Sequence, residues 1–194
     1  MINRASRPVT HLPECVANLA RAAEEFGVAE IVFTHDACYD TATTLAMQQR
    51  VEVPFRPVHI LEYIRNWLRD HPARIVNPLN ISVAIQGGCT TRYAPRGGDR
   101  EIWSDWLREI FKMIGVTSVE EKRTYTGENR LCCGCGIFHT EHERAVGIQE
   151  RNIRDAAGAG AAELVFICPA CIAVMRGSCK KLGLEPIYIT QLVK

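Results

Sequence analysis

Residues 163–171 have the sequence ELVFICPAC, in which a short apolar run leads directly into Cys-Pro-Ala-Cys. The run at residues 164–167 has the length and the β-branched and aromatic content of a buried strand. Because proline suits the first turn of a helix, Pro169 predicts that a helix begins within the cysteine motif. Ligands of open α/β sheets bind at the carboxyl ends of strands, so this strand-to-helix junction is a candidate binding site.

The same pattern occurs near the beginning of the chain. Residues 21–38 align without gaps on residues 154–171, and nine of the eighteen aligned positions are identical. The repeat predicts an α/β fold of two pseudo-symmetric halves, residues 1–78 and 79–194, with a mainly parallel sheet and flanking helices. In the first copy we expect the helix after the strand to continue through about Gln49. This copy has His35 where the second has Cys168, so we expect it to be degenerate.

Composition and charge exclude several classes of protein. The 194 residues are 47% apolar and 23% charged, which suits a globular core, and a net charge of +1 gives no basic surface for nucleic acid. No apolar run approaches the ~20 residues of a transmembrane helix, so we expect no membrane span. The amino terminus lacks the apolar segment of a signal peptide, and we therefore expect a cytoplasmic protein.

Nine cysteines in such a chain favour metal binding or redox chemistry, because disulfides are rare in the cytosol. Cys-Cys-Gly-Cys-Gly lies in a predicted loop at residues 132–136, and Gly87 and Gly88 precede another cysteine after a predicted strand at residues 81–85. The carboxyl ends of parallel strands open on one edge of a sheet, so these cysteines can converge. The candidate ligands are Cys89, Cys132, Cys133, Cys168 and Cys171.

Thiolate ligands select zinc or iron–sulfur clusters. A structural zinc site needs four ligands, usually as two CxxC pairs, and five candidates with two adjacent suit an iron–sulfur cluster better. The CxxCxxC run of ordinary ferredoxins is absent from the sequence. Zinc stays open as an alternative, and so does a thioredoxin-type dithiol at Cys168 and Cys171.

The combined pattern resembles the cysteine-rich CCG domain of heterodisulfide reductase and of related subunits in glycolate, glycerol-3-phosphate and lactate oxidation complexes. The resemblance covers residues 81–194, and residues 29–61 are similar to the end of a preceding CCG domain. It implies that the five cysteines hold a [4Fe–4S] cluster of the noncubane type. The first half keeps only His35 and Cys38, so a second cluster would come from a partner or from another copy of the chain.

The resemblance implies an oxidoreductase subunit that is active within a heterodisulfide-reductase-like complex. Electrons would pass through the cluster to a small disulfide or thiol substrate. They would come from a ferredoxin-like or flavin-bearing subunit, since the sequence has no glycine fingerprint for a nucleotide or flavin. Two alternatives stay open, a non-catalytic electron-relay subunit and a zinc-stabilised structural module. Whether His35 and Cys38 retain a second metal site is also open.

Overall fold

The computed structural model describes residues 11–88, 100–119, 124 and 131–193, with residues 100–104 and 118–119 described by their backbone alone. The α-helices are α1 (Leu12–Glu25), α2 (Asp36–Asp40), α3 (Ala46–Gln48), α4 (Ile60–Asp70), α5 (Arg100–Ile114), α6 (His142–Gly158) and α7 (Pro169–Lys181). The strands are β1 (Glu30–Phe33), β2 (Arg56–His59), β3 (Ser82–Gln86), β4 (Ser118–Val119), β5 (Glu163–Phe166) and β6 (Glu185–Tyr188). Within these ranges, no helix combines the length and the apolar content needed to cross a membrane.

All strand pairs in the described ranges are parallel and form two sheets. Strands β1 and β2 make a two-stranded sheet, and the other four make a second sheet in the order β4-β3-β5-β6. Helices flank both sheets, which confirms the predicted α/β class. The short strand β4 had no signal in the sequence, because two residues are too few to show an alternating pattern.

The two copies of the sequence repeat form the same elements in the same order. Each copy runs from the end of one helix through a strand to the start of another helix, α1-β1-α2 in the first copy and α6-β5-α7 in the second. Strand pairing also agrees, since Phe33 lies beside His59 and Phe166 lies beside Tyr188. Phe33 and Phe166 occupy aligned positions of the repeat, and residues 57–60 (PVHI) are similar to residues 186–189 (PIYI). Pseudo-symmetry of the halves as whole units stays a prediction.

The helix predicted to continue through Gln49 is not a regular α-helix. Helix α2 ends at Asp40, a π-helical stretch covers Thr41–Leu45, and α3 follows. The hydroxyls of Thr41 and Thr43 donate to the carbonyls four residues earlier, at 2.6 and 2.8 Å. Threonine hydroxyls that bond to the backbone in this way often bend helices, which accounts for the difference.

One apolar core contains residues from both sequence halves. Helix α4 packs against α5, and its buried side chains lie in the same cluster as those of β3 and β5. Leu61 from α4, Val83 from β3 and Ile110 from α5 are fully buried in this cluster. The helices are also joined at the surface, where Arg65 and Arg69 both pair with Glu109. The predicted division at residue 78 stays a prediction, but the core spans it.

A second apolar cluster fills the space between the four-stranded sheet and helices α6 and α7. Phe166 from β5, Ile153 from α6 and Met175 from α7 are fully buried in it. Three cysteines of the candidate site belong to the same cluster. The sulfur atoms are therefore enclosed by apolar side chains on one side.

We expect Leu61→Ala to lower the free energy of unfolding by about 2–5 kcal/mol, because it leaves a cavity in the shared core. Tyr63→Ala on the same helix is the control, since Tyr63 is 50% exposed and Leu61 is 0% exposed. The control should change stability by only about 0.5 kcal/mol. Urea unfolding followed by circular dichroism makes the measurement. Two separate transitions, with only one shifted by Leu61→Ala, would contradict a shared core.

Candidate metal centre

The Cys-Pro-Ala-Cys motif lies where β5 ends and α7 begins, as predicted. Cys168 has an extended backbone (φ −122°, ψ 125°) and is the N-cap residue of α7, and Pro169 occupies the first helical turn. The N–H of Ile172 donates to the carbonyl of Cys168 at 3.3 Å, which closes the first turn. Both Cys168 and Cys171 are buried. The helix start therefore directs two thiols into the protein at the carboxyl edge of the sheet.

The Cys-Cys-Gly motif lies in a tight turn before α6. Gly134 has a φ of +75°, which a residue with a side chain rarely adopts, and its N–H donates to Sγ of Cys132 at 3.4 Å. The side chain of Gln149 on α6 donates to the carbonyl of Cys133 at 3.0 Å. As a result, Cys133 is buried against the core while Cys132 is exposed.

The two motifs bring four thiols together. The thiol of Cys171 hydrogen-bonds to those of Cys133 and Cys168, and the thiol of Cys133 also hydrogen-bonds to that of Cys132. Two of the elements that hold them, β5 and α7, are consecutive in the chain, whereas the Cys-Cys-Gly turn is about 35 residues earlier. The structure thus brings these four cysteines together, and their role as ligands stays a prediction. Cys89 lies outside the described residues.

The thiols compete strongly for protons. The hydrogen bond to Cys132 raises the pKa of Cys133 to about 12. The hydrogen bond from Cys171 lowers the pKa of Cys168 to about 6, and the pKa of Cys171 itself lies far above its ordinary value because its proton is shared with two neighbouring sulfurs. Several thiolates cannot be close together in a buried place unless a cation balances their charge.

A buried glutamine fixes the end of β3 beside these thiols. The side-chain amide of Gln86 donates to the carbonyls of Gly87 and Leu131, both at 3.3 Å, and its oxygen accepts a hydrogen bond from Asn152. Leu131 directly precedes the Cys-Cys-Gly turn. Gln86 therefore connects the strand that leads to Cys89 with the loop that carries Cys132. Its role could not be seen in the sequence, where it is a single polar residue at a strand end.

The first half contributes a buried hydrogen bond between two polar side chains that the sequence did not reveal. Nε2 of His59 lies 3.2 Å from Oδ1 of Asp36, and the two side chains are 0% and 1% exposed. Since the N–H of Leu61 donates to Nδ1 of His59 at 3.2 Å, the ring proton must be on Nε2 and points to the carboxylate. The other carboxylate oxygen, Oδ2, is buried and has no hydrogen-bond partner among the described residues.

The unpaired oxygen of Asp36 points at the backbone of Gly88. A Cβ atom added at Gly88 would lie only 1.2 Å from Oδ2, so the glycine makes the space that the carboxylate fills. The carboxylate also lies near enough to Cys168 for its negative charge to oppose ionisation of that thiol. Asp36 is thus a buried negative group directly beside the cysteine cluster and the residue that precedes Cys89.

Tyr188 connects the two sheets at the same place. Its hydroxyl donates to the carbonyl of Thr34 at 2.7 Å, which joins the end of β6 to the end of β1. Burial, followed by the negative charges of Cys168 and Asp36, raises the pKa of Tyr188 to about 12. The phenol therefore stays protonated and keeps donating this hydrogen bond. The carboxyl ends of strands from both sheets consequently border the cysteine site.

His35 and Cys38 face the cluster from the first half. Sγ of Cys38 lies 3.3 Å from Nδ1 of His35. Burial and the nearby charge of Cys168 raise the pKa of Cys38. The aligned positions in the second copy are Cys168 and Cys171. Cys168 interacts electrostatically with both His35 and Cys38, so the two pairs lie close to one another. Three further cysteines lie in the described part of the chain, and they are Cys15, Cys135 and Cys179.

The residues present fit a thiolate-bound metal group. Four neighbouring thiols, three of them buried, form a soft donor set of the kind that zinc and iron–sulfur clusters use. No three metal-binding side chains in the described ranges already surround one point as the ligands of a single ion would. The fifth predicted ligand, Cys89, is outside those ranges. The chemistry of the donor set, rather than preformed coordination geometry, is what fits.

We expect Gly88→Ala to lower the free energy of unfolding by about 1–3 kcal/mol, because the new methyl group displaces the Asp36 carboxylate and breaks its bond to His59. Gly136→Ala is the control, since a Cβ there meets nothing within 4 Å. Thermal or urea unfolding of both variants makes the comparison. Equal stability of the two variants would show that Asp36 does not need the space at Gly88.

Comparison with known structures gives distant matches. The glutamate racemase isoform RacE1 of Bacillus anthracis matches with a TM-score of 0.43 and 14% identity, over 96% of this chain and 63% of that chain. The glutamate racemase of Francisella tularensis, in complex with D-glutamate, matches with a TM-score of 0.39 and 14% identity, over 100% of this chain and 64% of that chain. An arylmalonate decarboxylase mutant matches with a TM-score of 0.35 and 13% identity, over 94% of this chain and 71% of that chain. The chain thus spans less than two thirds of the length of the two racemases.

No curated protein matches the sequence. Residues 83–176, about half of the chain, match the family model of the CCG cysteine-rich domain. This range contains all five predicted ligands, and the resemblance to that domain is confirmed over these residues. Together with the clustered thiols, the match to the CCG cysteine-rich domain is consistent with a module that binds a metal ion or an iron–sulfur cluster.

Proposed function

We propose that this chain is the iron–sulfur subunit of a heterodisulfide-reductase-like complex. It would pass electrons through a [4Fe–4S] cluster of the noncubane type to a disulfide substrate. The observation that supports this proposal most directly is the meeting of Cys132, Cys133, Cys168 and Cys171 at the carboxyl edge of one parallel sheet. The ligands would be these four and Cys89, which follows the neighbouring strand β3.

The surroundings of the thiols suit a cluster that is partly enclosed. When bound, the cluster would supply one-electron transfer at a potential set by its burial and by hydrogen bonds to its sulfurs. Cys133, Cys168 and Cys171 lie against apolar side chains, which exclude water from one side. Cys132 is exposed and leaves the opposite side open. A small substrate would approach from that open side.

The source of electrons would be another protein. The sequence contains neither a ferredoxin motif nor a glycine fingerprint for a nucleotide or flavin. A single cluster site cannot collect electrons from a two-electron donor such as NADH without a flavin or a comparable group. The chain would therefore work in a complex with a ferredoxin-like or flavin-bearing subunit, and we propose that it is an oxidoreductase subunit only in that setting.

A non-catalytic relay is the second candidate. The first half has His35 and Cys38 where the second half has Cys168 and Cys171, so the chain itself offers one thiolate-rich site instead of two. If the substrate has to lie between two clusters, this chain alone would only transfer electrons. A relay cluster would be redox-active and would not respond to added thiol.

Protein purified without oxygen should contain about four irons and four sulfides per chain, because the resemblance to the CCG domain implies one noncubane [4Fe–4S] cluster. Iron, sulfide and zinc are measured on the same sample, and the electron paramagnetic resonance spectrum is recorded with and without a small thiol. A signal that changes on adding thiol would support the catalytic subunit, and an unchanged signal would support the relay. One zinc per chain with no sulfide would contradict both.

We expect Cys133→Ser to lose most of the bound iron, because Cys133 is buried and contacts two other thiols of the cluster. Cys15→Ser is the control, since Cys15 is exposed on α1, and it should keep full iron content. Circular dichroism of both variants checks that the fold is intact. A folded Cys133→Ser protein with unchanged iron and sulfide would remove Cys133 from the ligand set.

A further inference from the structure

We propose that Cys38 and His35 form a thiol–disulfide exchange site at the border of the cysteine cluster. Cys38 would attack one sulfur of a small disulfide, and His35 would act as the base and then as the acid of this step. The inference deepens the proposed function and rests on it for the supply of electrons. The exchange step itself can be measured whether or not a cluster is bound.

The local backbone holds the two side chains together. His35 is the N-cap residue of α2 in an extended conformation (φ −115°, ψ 119°), and its carbonyl accepts hydrogen bonds from the N–H groups of Cys38 and Tyr39 at 3.0 and 3.1 Å. Residues three apart at the start of a helical turn lie on the same side. Sγ of Cys38 and Nδ1 of His35 are accordingly 3.3 Å apart. An imidazole at this distance is the usual activating base for a nucleophilic thiol.

The pair is fixed beside the cluster by contacts on either side of it. One residue before His35, the carbonyl of Thr34 accepts the hydroxyl of Tyr188 from β6. One residue after it, the buried carboxylate of Asp36 is paired with His59 and fills the space at Gly88. The thiol of Cys38 is close enough to Cys168 for the charge of Cys168 to raise the pKa of Cys38, so its ionisation depends on the neighbouring base. The exchange site and the predicted cluster ligands therefore share one border.

Accessibility separates Cys38 from its counterpart in the repeat. Cys171, at the aligned position, is buried among other thiols, whereas Cys38 is exposed. A disulfide of two small groups can therefore reach Cys38 from solvent. Cys15 is exposed as well, but its thiol makes no hydrogen bond within the described part of the chain, and α1 places it outside the cluster of thiols. Exposure is common to both cysteines, and a neighbouring imidazole distinguishes Cys38.

The chemistry balances in two stages. In the first, His35 takes the proton of Cys38, the thiolate attacks the substrate R–S–S–R, and the S–S bond breaks. R–S⁻ leaves and receives the proton from the imidazolium, so one R–SH is released and Cys38–S–S–R remains, with no net oxidation or reduction. In the second, two electrons from a ferredoxin-class donor and two protons from water cleave this mixed disulfide. The products are Cys38–SH and a second R–SH.

The test uses bis(2-hydroxyethyl) disulfide with the full-length chain purified without oxygen. The reaction is stopped with acid at short times, and mass spectrometry of the peptides measures how fast each cysteine acquires the mixed disulfide. We expect Cys38 to react at least about 10-fold faster than Cys15, since a positioned base typically accelerates such steps by about 10²–10⁴-fold. His35→Gln should slow Cys38 by about 10-fold or more and leave Cys15 unchanged.

Equal rates at Cys38 and Cys15 in the unmodified chain would overturn the inference, even if His35→Gln failed to fold. A folded His35→Gln chain with an unchanged Cys38 rate would overturn it as well. Iron and sulfide are measured on the same sample to separate the two proposals. Fast exchange at Cys38 without a cluster would support the exchange site and contradict the proposed function. A full cluster with slow exchange at Cys38 would support the proposed function and contradict the exchange site.

Discussion

Four thiols, three of them buried, meet at one edge of the sheet, and they cannot all ionise there without a positive charge among them. Their hydrogen bonds to one another leave Cys168 easily ionised while Cys133 and Cys171 hold their protons tightly. A bound cation or cluster relieves this competition, because thiolates are the form that binds metal. The sulfurs are held in place by the N-terminal cap of α7, by the turn at Gly134 and by the hydrogen bonds of Gln86.

Parts of this site follow from sequence because they are local. A strand followed by Cys-Pro-Ala-Cys determines where Cys168 and Cys171 lie, since parallel strands, proline and helix starts obey short-range rules. The repeat likewise predicted that β1 and β5 occupy matching positions. The α/β class and the convergence of the two described cysteine motifs were therefore predictable from the sequence.

Other parts were not predictable because they depend on tertiary contacts between distant residues. Asp36 is an ordinary helix-start residue by sequence, and only the packing of β3 against the first half shows that its carboxylate fills the space at Gly88. His59 and Tyr188 are single polar residues at strand ends, and their partners are 23 and 154 residues away. The π-helical stretch after α2 depends on two threonine hydroxyls and has no periodic signal.

The close approach of Asp36 to Gly88 has an evolutionary consequence. Any side chain at position 88 would overlap the carboxylate, and that carboxylate is held by His59. Substitution at one of these three positions therefore changes what selection permits at the other two. In related chains, aspartate, histidine and glycine are expected to vary together at positions 36, 59 and 88.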